Sequence, residues 1–547
     1  MVVYHTNLAN EAKKIKHKVL HQPLKQTNMK KLTTKIFLGT AAITGLMLTQ
    51  SCEKEIPSYN GFESYTYASL DEDGGTWDPI LLTSGADTAI AAPEDVTSDA
   101  YLAELDEVKG YVGSLNADEQ EAVDYWGNNT VIRWQEIAQE LVAKYNLAPS
   151  PNEDGSYGAP SSANPSVYPY FPFAHPPYAV RAYAYLAAAQ YDALITTWNY
   201  KYAYNRPAPY KVDGSITPAY PDNDLPSYPS EDAAIAEVSS EMLKFLFPLE
   251  VDYINGLAQE CRESRKWAGM NVESDLVAGD GIGGYVFRQY KARAANDSMK
   301  FAQVDAATYA GYESAADLMF GDMWPHWENL EVPQRPVGIT PAYGKVKTRW
   351  IGSPADVRPG PPPAVGSAEY EAAKDEMLEY TKNATREQEQ LAYFWGDGFG
   401  TYAPPGHWDR IAADYIVQYR YNPLRTARTF AYLNTAMMDA GISCWDTKYY
   451  YMYPRPPQGN EDILCLFGLP NFPSYTSGHS TFSAAAATVL GYVFPAEASL
   501  FDSYAKDASE SRIYSRIHWR YDCEVGVEVG NTIGDMATAV AATDGAD

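Results

Sequence analysis

The chain has 547 residues and a formal net charge of −28 at pH 7. Charged residues make up 20% and hydrophobic residues 46%, which is typical of a soluble globular protein and excludes a largely disordered or membrane-embedded one. The length allows two or more domains, and the strong acidity disfavours binding to nucleic acid.

The N-terminal region carries a targeting pattern. Residues 29–52 begin with basic residues, continue as an apolar run and end with a small residue before Cys52, which predicts a secretory signal peptide. Leu48, Ser51 and Cys52 resemble a relaxed lipobox, so we expect an exported cell-envelope lipoprotein with a lipid on Cys52. An ordinary signal or a single membrane anchor is the alternative. Residues 1–28 are interpreted as a non-native extension, and the lipid is the only membrane contact that we expect.

The rest of the chain has mostly helical periodicity. Residues 53–100 are polar and are interpreted as a tether and entry segment. From Tyr101 onward, apolar residues recur at helical spacing in segments separated by loops rich in Pro, Ser and Gly. Asn116, followed three residues later by Glu119, predicts a capping box at a helix start. These patterns predict an all-α protein.

An internal repeat divides the helical region. Residues 101–300 form the first copy and residues 370–547 the second. From residue 181 onward the two copies match at a constant shift of 247 positions, so that Arg265 in the first copy corresponds to Arg512 in the second. A gapless match across long loops predicts a tandem duplication and therefore two pseudo-symmetric helical bundles. Residues 301–369 are interpreted as an inter-repeat linker that packs on the surface.

The two copies differ at chemically important positions. Two histidines and one arginine of the second copy have no counterpart in the first, and the first copy has two carboxylates that the second lacks. The substitutions, given as second copy against first, are Arg455 for Ala208, Gly478 for Glu231, His479 for Asp232 and His518 for Asn271. We therefore expect residues 101–300 to be a degenerate scaffold and residues 370–547 to be the active domain.

Groups that bind oxyanions are concentrated between residues 445 and 522. Lysine offers a point charge, arginine a planar fork, serine a hydroxyl and glycine an unshielded backbone N–H. Here these groups are Lys448, Arg455, Ser477, Gly478 and Arg512. His479 and His518 add imidazoles able to act as acid, base, nucleophile or metal ligand. Asp522 follows His518 by four residues, so a helix already begun at His518 would let the carboxylate fix the imidazole tautomer.

The spacing of these residues is specific. K-x6-R-P, P-S-x-x-S-G-H and S-R-x5-H-x3-D resemble the three-part signature of the type 2 phosphatidic acid phosphatase (PAP2) superfamily, which includes the vanadium-dependent haloperoxidases. Thr476 departs from the Pro of most members. The resemblance implies a helical fold whose five oxyanion-binding groups contact the equatorial oxygens of vanadate or phosphate. It also implies that His518 is the vanadium ligand or the phosphorylated nucleophile, and that His479 is the general acid/base.

The resemblance leaves two reactions open. A haloperoxidase would use vanadate to oxidise halide with hydrogen peroxide, whereas an acid phosphatase or pyrophosphatase would cleave a phosphate ester through a phosphohistidine and need no cofactor. Trp445 and Phe472 are placed as in fungal chloroperoxidases, which favours the first reaction. His407, in the segment PPGHW, is expected either at the pocket mouth or as a loop residue that caps the next helix. A binding module without activity is disfavoured, because the second copy keeps every motif residue.

Overall fold

The part of the chain that the computed structural model describes consists of α-helices, short 3₁₀ turns and loops. The described residues are 64–127, 129–147, 153–155, 174–332, 334–335 and 337–546. No strand occurs within them, which confirms the all-α prediction. No helix among them is long and apolar enough to cross a membrane. The predicted signal peptide and Cys52 lie outside the described residues.

The helices fall into two series. In the N-terminal half they are α1 (Asp99–Tyr111), α2 (Ala117–Trp126), α3 (Thr130–Tyr145), α4 (Pro176–Tyr204), α5 (Glu231–Leu246), α6 (Val251–Trp267) and α7 (Glu273–Ala295). Helix α8 (Ala306–Phe320) follows. In the C-terminal half they are α9 (Ala368–Asn383), α10 (Arg386–Phe394), α11 (Ala403–Gln418), α12 (Pro423–Tyr451), α13 (Gly478–Val493), α14 (Ala498–Tyr514) and α15 (Arg520–Ala541).

Helix bounds in the two halves correspond. Helices α4 and α12 each have 29 residues, α5 and α13 each have 16, and α6 and α14 each have 17. Each pair starts 247 positions apart, which is the shift of the sequence match. Asn116 forms the predicted capping box with Glu119 at the start of α2. The common order and lengths agree with a tandem duplication, which stays a prediction.

The two long helices α4 and α12 pack against each other in the centre of the protein. Almost all residues of both are buried, and each helix is anchored by a buried ion pair at an equivalent position. Arg181 on α4 pairs with Asp297 after α7, and Arg428 on α12 pairs with Asp544 after α15, at 2.6 and 2.8 Å. Buried charges are tolerated where they are paired. Each ion pair therefore ties the long helix to the segment that follows the last helix of the same half.

The region between the halves is not a surface linker, and that interpretation was wrong. It contains α8, and it buries Trp324, Trp327 and Tyr343 at 0–2% exposure. The buried carboxylate of Asp439 on α12 accepts hydrogen bonds from the backbone N–H groups of residues 349–351. The burial of large aromatic rings contributes to the core, so this region is part of the folded unit.

Glycines on α7 allow a matched test of how it packs on α5. A Cβ on Gly283 would lie 2.6 Å from the Ala234 carbonyl oxygen, whereas a Cβ on Gly281 would meet nothing within 4 Å. We expect Gly283→Ala to lower the free energy of unfolding by roughly 1–3 kcal/mol through overpacking. Gly281→Ala should raise it by about 0.5–1 kcal/mol, because alanine loses less backbone entropy on folding. Urea unfolding of both variants measures the difference, and equal effects would contradict the close helix packing.

Candidate active site

The predicted site residues lie where four helices of the C-terminal half converge. Lys448 is in the last turn of α12, and Arg512 is in the last turn of α14. Ser477 is the N-cap of α13, which begins at Gly478, and His518 immediately precedes α15. The positive end of the α13 dipole and its free N–H groups therefore face the other motif residues, an arrangement that favours an anion.

Three buried cations have no carboxylate partner. Lys448, Arg455 and Arg512 are at most 1% exposed. Lys448 Nζ donates to three backbone carbonyls at 2.5–2.8 Å. The Arg455 and Arg512 guanidinium groups also donate mainly to backbone carbonyls. Within the described residues none of the three forms an ion pair, although Asp522 favours the charged forms of Lys448 and Arg455, and Asp397 that of Arg512, from longer range.

Burial disfavours the charged forms of these groups. It lowers the pKa of Lys448 to about 8 and those of Arg455 and Arg512 to about 10. Burial also holds the pKa values of His479 and His518 well below the usual range, with Arg512 and Arg455 respectively adding the next largest effect. A bound anion would favour the charged forms, so the cluster fits an oxyanion.

His518 is oriented by Asp522. Its Nδ1 lies 3.0 Å from Asp522 Oδ2, which also accepts hydrogen bonds from Ser474 Oγ and Trp519 N. Helix α15 begins at Arg520, so the condition that a helix has begun by His518 is not met. Asp522 instead reaches back from the first turn. With Nδ1 held by the carboxylate, Nε2 lies 3.4 Å from Arg455 Nη1 and is the ring nitrogen that faces the cations.

A carboxylate that the sequence analysis did not identify links the other two histidines. Asp397 Oδ1 and Oδ2 both lie 3.2 Å from His407 Nδ1, and Oδ2 lies 3.9 Å from His479 Nε2. His479 Nε2 is buried and has no hydrogen-bond partner in the described part of the chain. His407 stacks on Trp395, with ring centroids 4.3 Å apart. Because α11 begins at Ala403, His407 is inside the helix, and the alternative of a loop residue that caps it is wrong.

Aromatic side chains form one wall beside the cations. The Trp445 and Phe472 rings lie 4.8 Å apart, and Lys448 Nζ lies 5.9 and 5.1 Å from their centroids. A Cβ on Gly478 would lie 3.8 Å from Trp445. Trp445 Nε1 donates to the Ile339 carbonyl at 3.2 Å, so the region between the halves helps to fix this wall.

The equivalent positions of the N-terminal half are neutralised. Lys201 pairs with Glu231 at 2.7 Å, and Arg265 pairs with Asp232 at 3.1 Å. Burial lowers the pKa of Arg265, but Tyr220 and Asp232 together raise it above the ordinary value, opposite to the shift at Arg512. The two carboxylates therefore neutralise the cations that would otherwise attract an oxyanion, as expected for a degenerate site.

The donor set fits vanadate better than a bare metal cation. The described residues contain no group of three or more His, Cys, Asp or Glu side chains placed to hold a metal ion. Vanadate carries its own oxygens and needs cations and N–H donors around them, with a single nitrogen for the metal. Lys448, Arg455 and Arg512 supply the first requirement, and His518 Nε2 supplies the second.

Comparisons with known proteins agree with this chemistry. Residues 429–543 match the model of the PAP2 superfamily. The chain is 27% identical over 189 residues to the vanadium chloroperoxidase of Curvularia inaequalis, across 26% of this chain and 31% of that relative. The crystal structure of a bacterial vanadium-dependent iodoperoxidase aligns with a TM-score of 0.53 at 24% identity, covering 66% of this chain and 91% of that one. The C-terminal half thus carries a PAP2 superfamily segment, and the helical fold is that of the vanadium haloperoxidases.

Proposed function

We propose that the protein is a vanadate-dependent haloperoxidase that converts hydrogen peroxide, halide and one proton into hypohalous acid and water. The observation that carries the proposal is the set of three buried cations without an ion-pair partner among the described residues, one of them 3.4 Å from an oriented imidazole, beside an aromatic wall. The distant identity to a vanadium chloroperoxidase supports the same reaction. The cations fit an oxyanion, and the Trp445–Phe472 wall offers an apolar side at which a weakly hydrated halide can lie.

Each residue has a defined role in this proposal. Lys448, Arg455 and Arg512 would bind the oxygens of vanadate together with the Ser477 hydroxyl and the Gly478 N–H, and His518 Nε2 would bind vanadium. Vanadate, when bound, supplies the Lewis acidity that activates peroxide toward halide. His479 Nε2, which is buried without a hydrogen-bond partner in the described chain, is placed to supply the proton that the reaction consumes.

A phosphatase is the second candidate, because the PAP2 match covers the whole motif region. The same cations would hold a phosphate ester. His518 Nε2 would attack phosphorus while the ester P–O bond breaks and His479 protonates the leaving oxygen, and water would then hydrolyse the phosphohistidine. This reaction requires no vanadate, which inhibits it by competing with phosphate for the site.

Paired assays with and without orthovanadate separate the two candidates. A haloperoxidase should oxidise iodide or bromide with hydrogen peroxide only after orthovanadate is added and should release no phosphate from an aryl phosphate. A phosphatase should release phosphate without orthovanadate and lose that activity when it is added. Phosphate release without peroxide-dependent halide oxidation would overturn our first proposal and support the second.

We also propose that the protein is exported and anchored by a lipid on Cys52. The support is the signal-like pattern of residues 29–52, which lie outside the described structure. The Cys52→Ser variant should lose incorporation of a labelled fatty acid and leave the membrane fraction. A variant that stays in the membrane fraction would contradict the lipid anchor.

A further inference from the structure

The loop that carries Asp397 has an unfavourable backbone. Asp397 and Ala403 have φ values of 43° and 62°, and Gly400 between them has 76°. Left-handed conformations are unfavourable for a residue with a Cβ, so Asp397 and Ala403 need support from surrounding contacts. Such strained residues are concentrated at functional sites, and here one of them is the carboxylate between His407 and His479.

The support comes from the N-terminal half. The Asn146 carbonyl, at the end of α3, accepts a hydrogen bond from Gly400 N at 2.5 Å. Its Nδ2 donates to the carbonyls of Gly398 and Thr401 at 3.0 and 3.2 Å. Asn146 is only 4% exposed, so these contacts are shielded from water. One side chain and its own backbone therefore hold three points of the loop.

A second contact holds the other end of the loop. Tyr183 on α4 is fully buried, and its hydroxyl donates to the Tyr402 carbonyl at 2.9 Å. A Cβ on Gly406 would lie 2.9 Å from that hydroxyl, so glycine in the segment PPGHW allows the close approach. Asp397 also contributes to raising the pKa of Tyr183, after burial and Asp409, which shows that this hydroxyl lies within electrostatic reach of the carboxylate.

We propose that Asn146 and Tyr183 are positioning residues of the active site, and that the half without catalytic histidines sets where Asp397 stands relative to His407 and His479. This inference rests on the proposed role of His479. Asp397 also counteracts part of the burial effect on the Arg512 pKa. A displaced loop would therefore change both the general acid/base His479 and one of the anion-binding cations, Arg512.

The test uses two variants of the full-length chain and a matched control. Asn146→Ala removes the two Nδ2 hydrogen bonds, and Tyr183→Phe removes only the hydroxyl. Tyr200→Phe is the control, because Tyr200 is also on α4 and donates to a backbone carbonyl, that of Thr88, at 2.6 Å without contacting the loop. Halide oxidation in the presence of orthovanadate gives kcat and KM, and isothermal titration with orthovanadate gives its affinity.

We expect kcat to fall about 10- to 100-fold in Asn146→Ala and less in Tyr183→Phe, because small misplacements of catalytic groups cost this much. The affinity for orthovanadate should stay within about threefold, since most of the anion contacts are unchanged, and the pH profile of kcat should shift. Tyr200→Phe should change neither. Unchanged kcat and pH profile in both loop variants would overturn the inference, as would a parallel loss of affinity and thermal stability without a shift of the pH profile.

A measurement without turnover separates this inference from the proposed reaction. In ¹⁵N-histidine-labelled protein at fixed pH, the ring resonances of His407, assigned with His407→Gln, report its hydrogen bond to Asp397. They should shift in Asn146→Ala and Tyr183→Phe and stay unchanged in Tyr200→Phe. That result would support the positioning role even if the native protein oxidised no halide, whereas unshifted resonances in both loop variants would overturn it.

Discussion

Replacing His518 with alanine is expected to abolish both vanadate binding and turnover. His518 Nε2 lies 3.4 Å from Arg455 Nη1, and the remaining groups of the proposed site offer only electrostatic attraction and hydrogen bonds. We expect the affinity for orthovanadate to fall by more than about 100-fold, which exceeds the 10- to 100-fold typical of changes in the groups that only orient a ligand. Isothermal titration with orthovanadate and the halide oxidation assay measure the two losses.

Two further variants test whether the loss of vanadate binding is specific to the His518 imidazole. Asp522→Asn keeps the imidazole but weakens its orientation, so its loss should be smaller, about 10- to 100-fold. Asn271→Ala changes the position equivalent to His518 in the N-terminal half and should leave affinity and turnover unchanged. If Asn271→Ala were as damaging as His518→Ala, the N-terminal half would not be a degenerate copy, and the assignment of the site to residues 370–547 would fail.

The motif residues and most helices could be predicted from the sequence because their signals are local. Lys448, Arg455 and His518 stand at fixed spacings, and the capping box at Asn116 needs only residues three positions apart. Helices with apolar residues at regular spacing can be predicted without knowing which elements they pack against. These features depend on short stretches of chain, so a single sequence is sufficient to identify them.

The missed features depend on contacts between distant parts of the chain. Asp397 stands in a glycine-rich loop without a motif, and its role follows only from its distance to His479 and His407. In the sequence Asn146 is an ordinary residue at the end of a helix. Its contact with the loop of Asp397, more than two hundred positions further along the chain, is visible only in the folded structure. The region around Trp324 was interpreted as a surface linker because its Pro-rich composition hides the partners that bury its rings.

The charge balance at equivalent positions of the two halves differs in the way that our proposal of a single anion-binding site requires. Lys201 and Arg265 remain in the N-terminal half, but Glu231 and Asp232 neutralise them. In the C-terminal half the positions of these carboxylates are Gly478 and His479, so the cations keep an uncompensated field. Two substitutions at the start of one helix thus remove the carboxylates that pair with Lys201 and Arg265.

Replacing His479 with alanine is expected to separate binding from turnover. The three cations and His518 stay in place, so the affinity for orthovanadate should change by less than about tenfold. Turnover should fall by roughly 10²–10⁴, the usual contribution of a general acid/base. His479 Nε2 is buried without a hydrogen-bond partner among the described residues, and Arg512 adds to the effect of burial in lowering the pKa of His479.

His407→Ala is the matched control for this prediction. His407 also contacts Asp397, and its contacts hold it by Nδ1 to that carboxylate at 3.2 Å and by its ring against Trp395. We expect a smaller loss of turnover, and a changed halide preference follows from the predicted place of His407 at the pocket mouth. Parallel measurements of orthovanadate affinity, kcat and the bromide-to-iodide ratio distinguish the two variants. If His407→Ala lost turnover as completely as His479→Ala, the acid/base role would belong to the whole histidine–aspartate–histidine group rather than to His479.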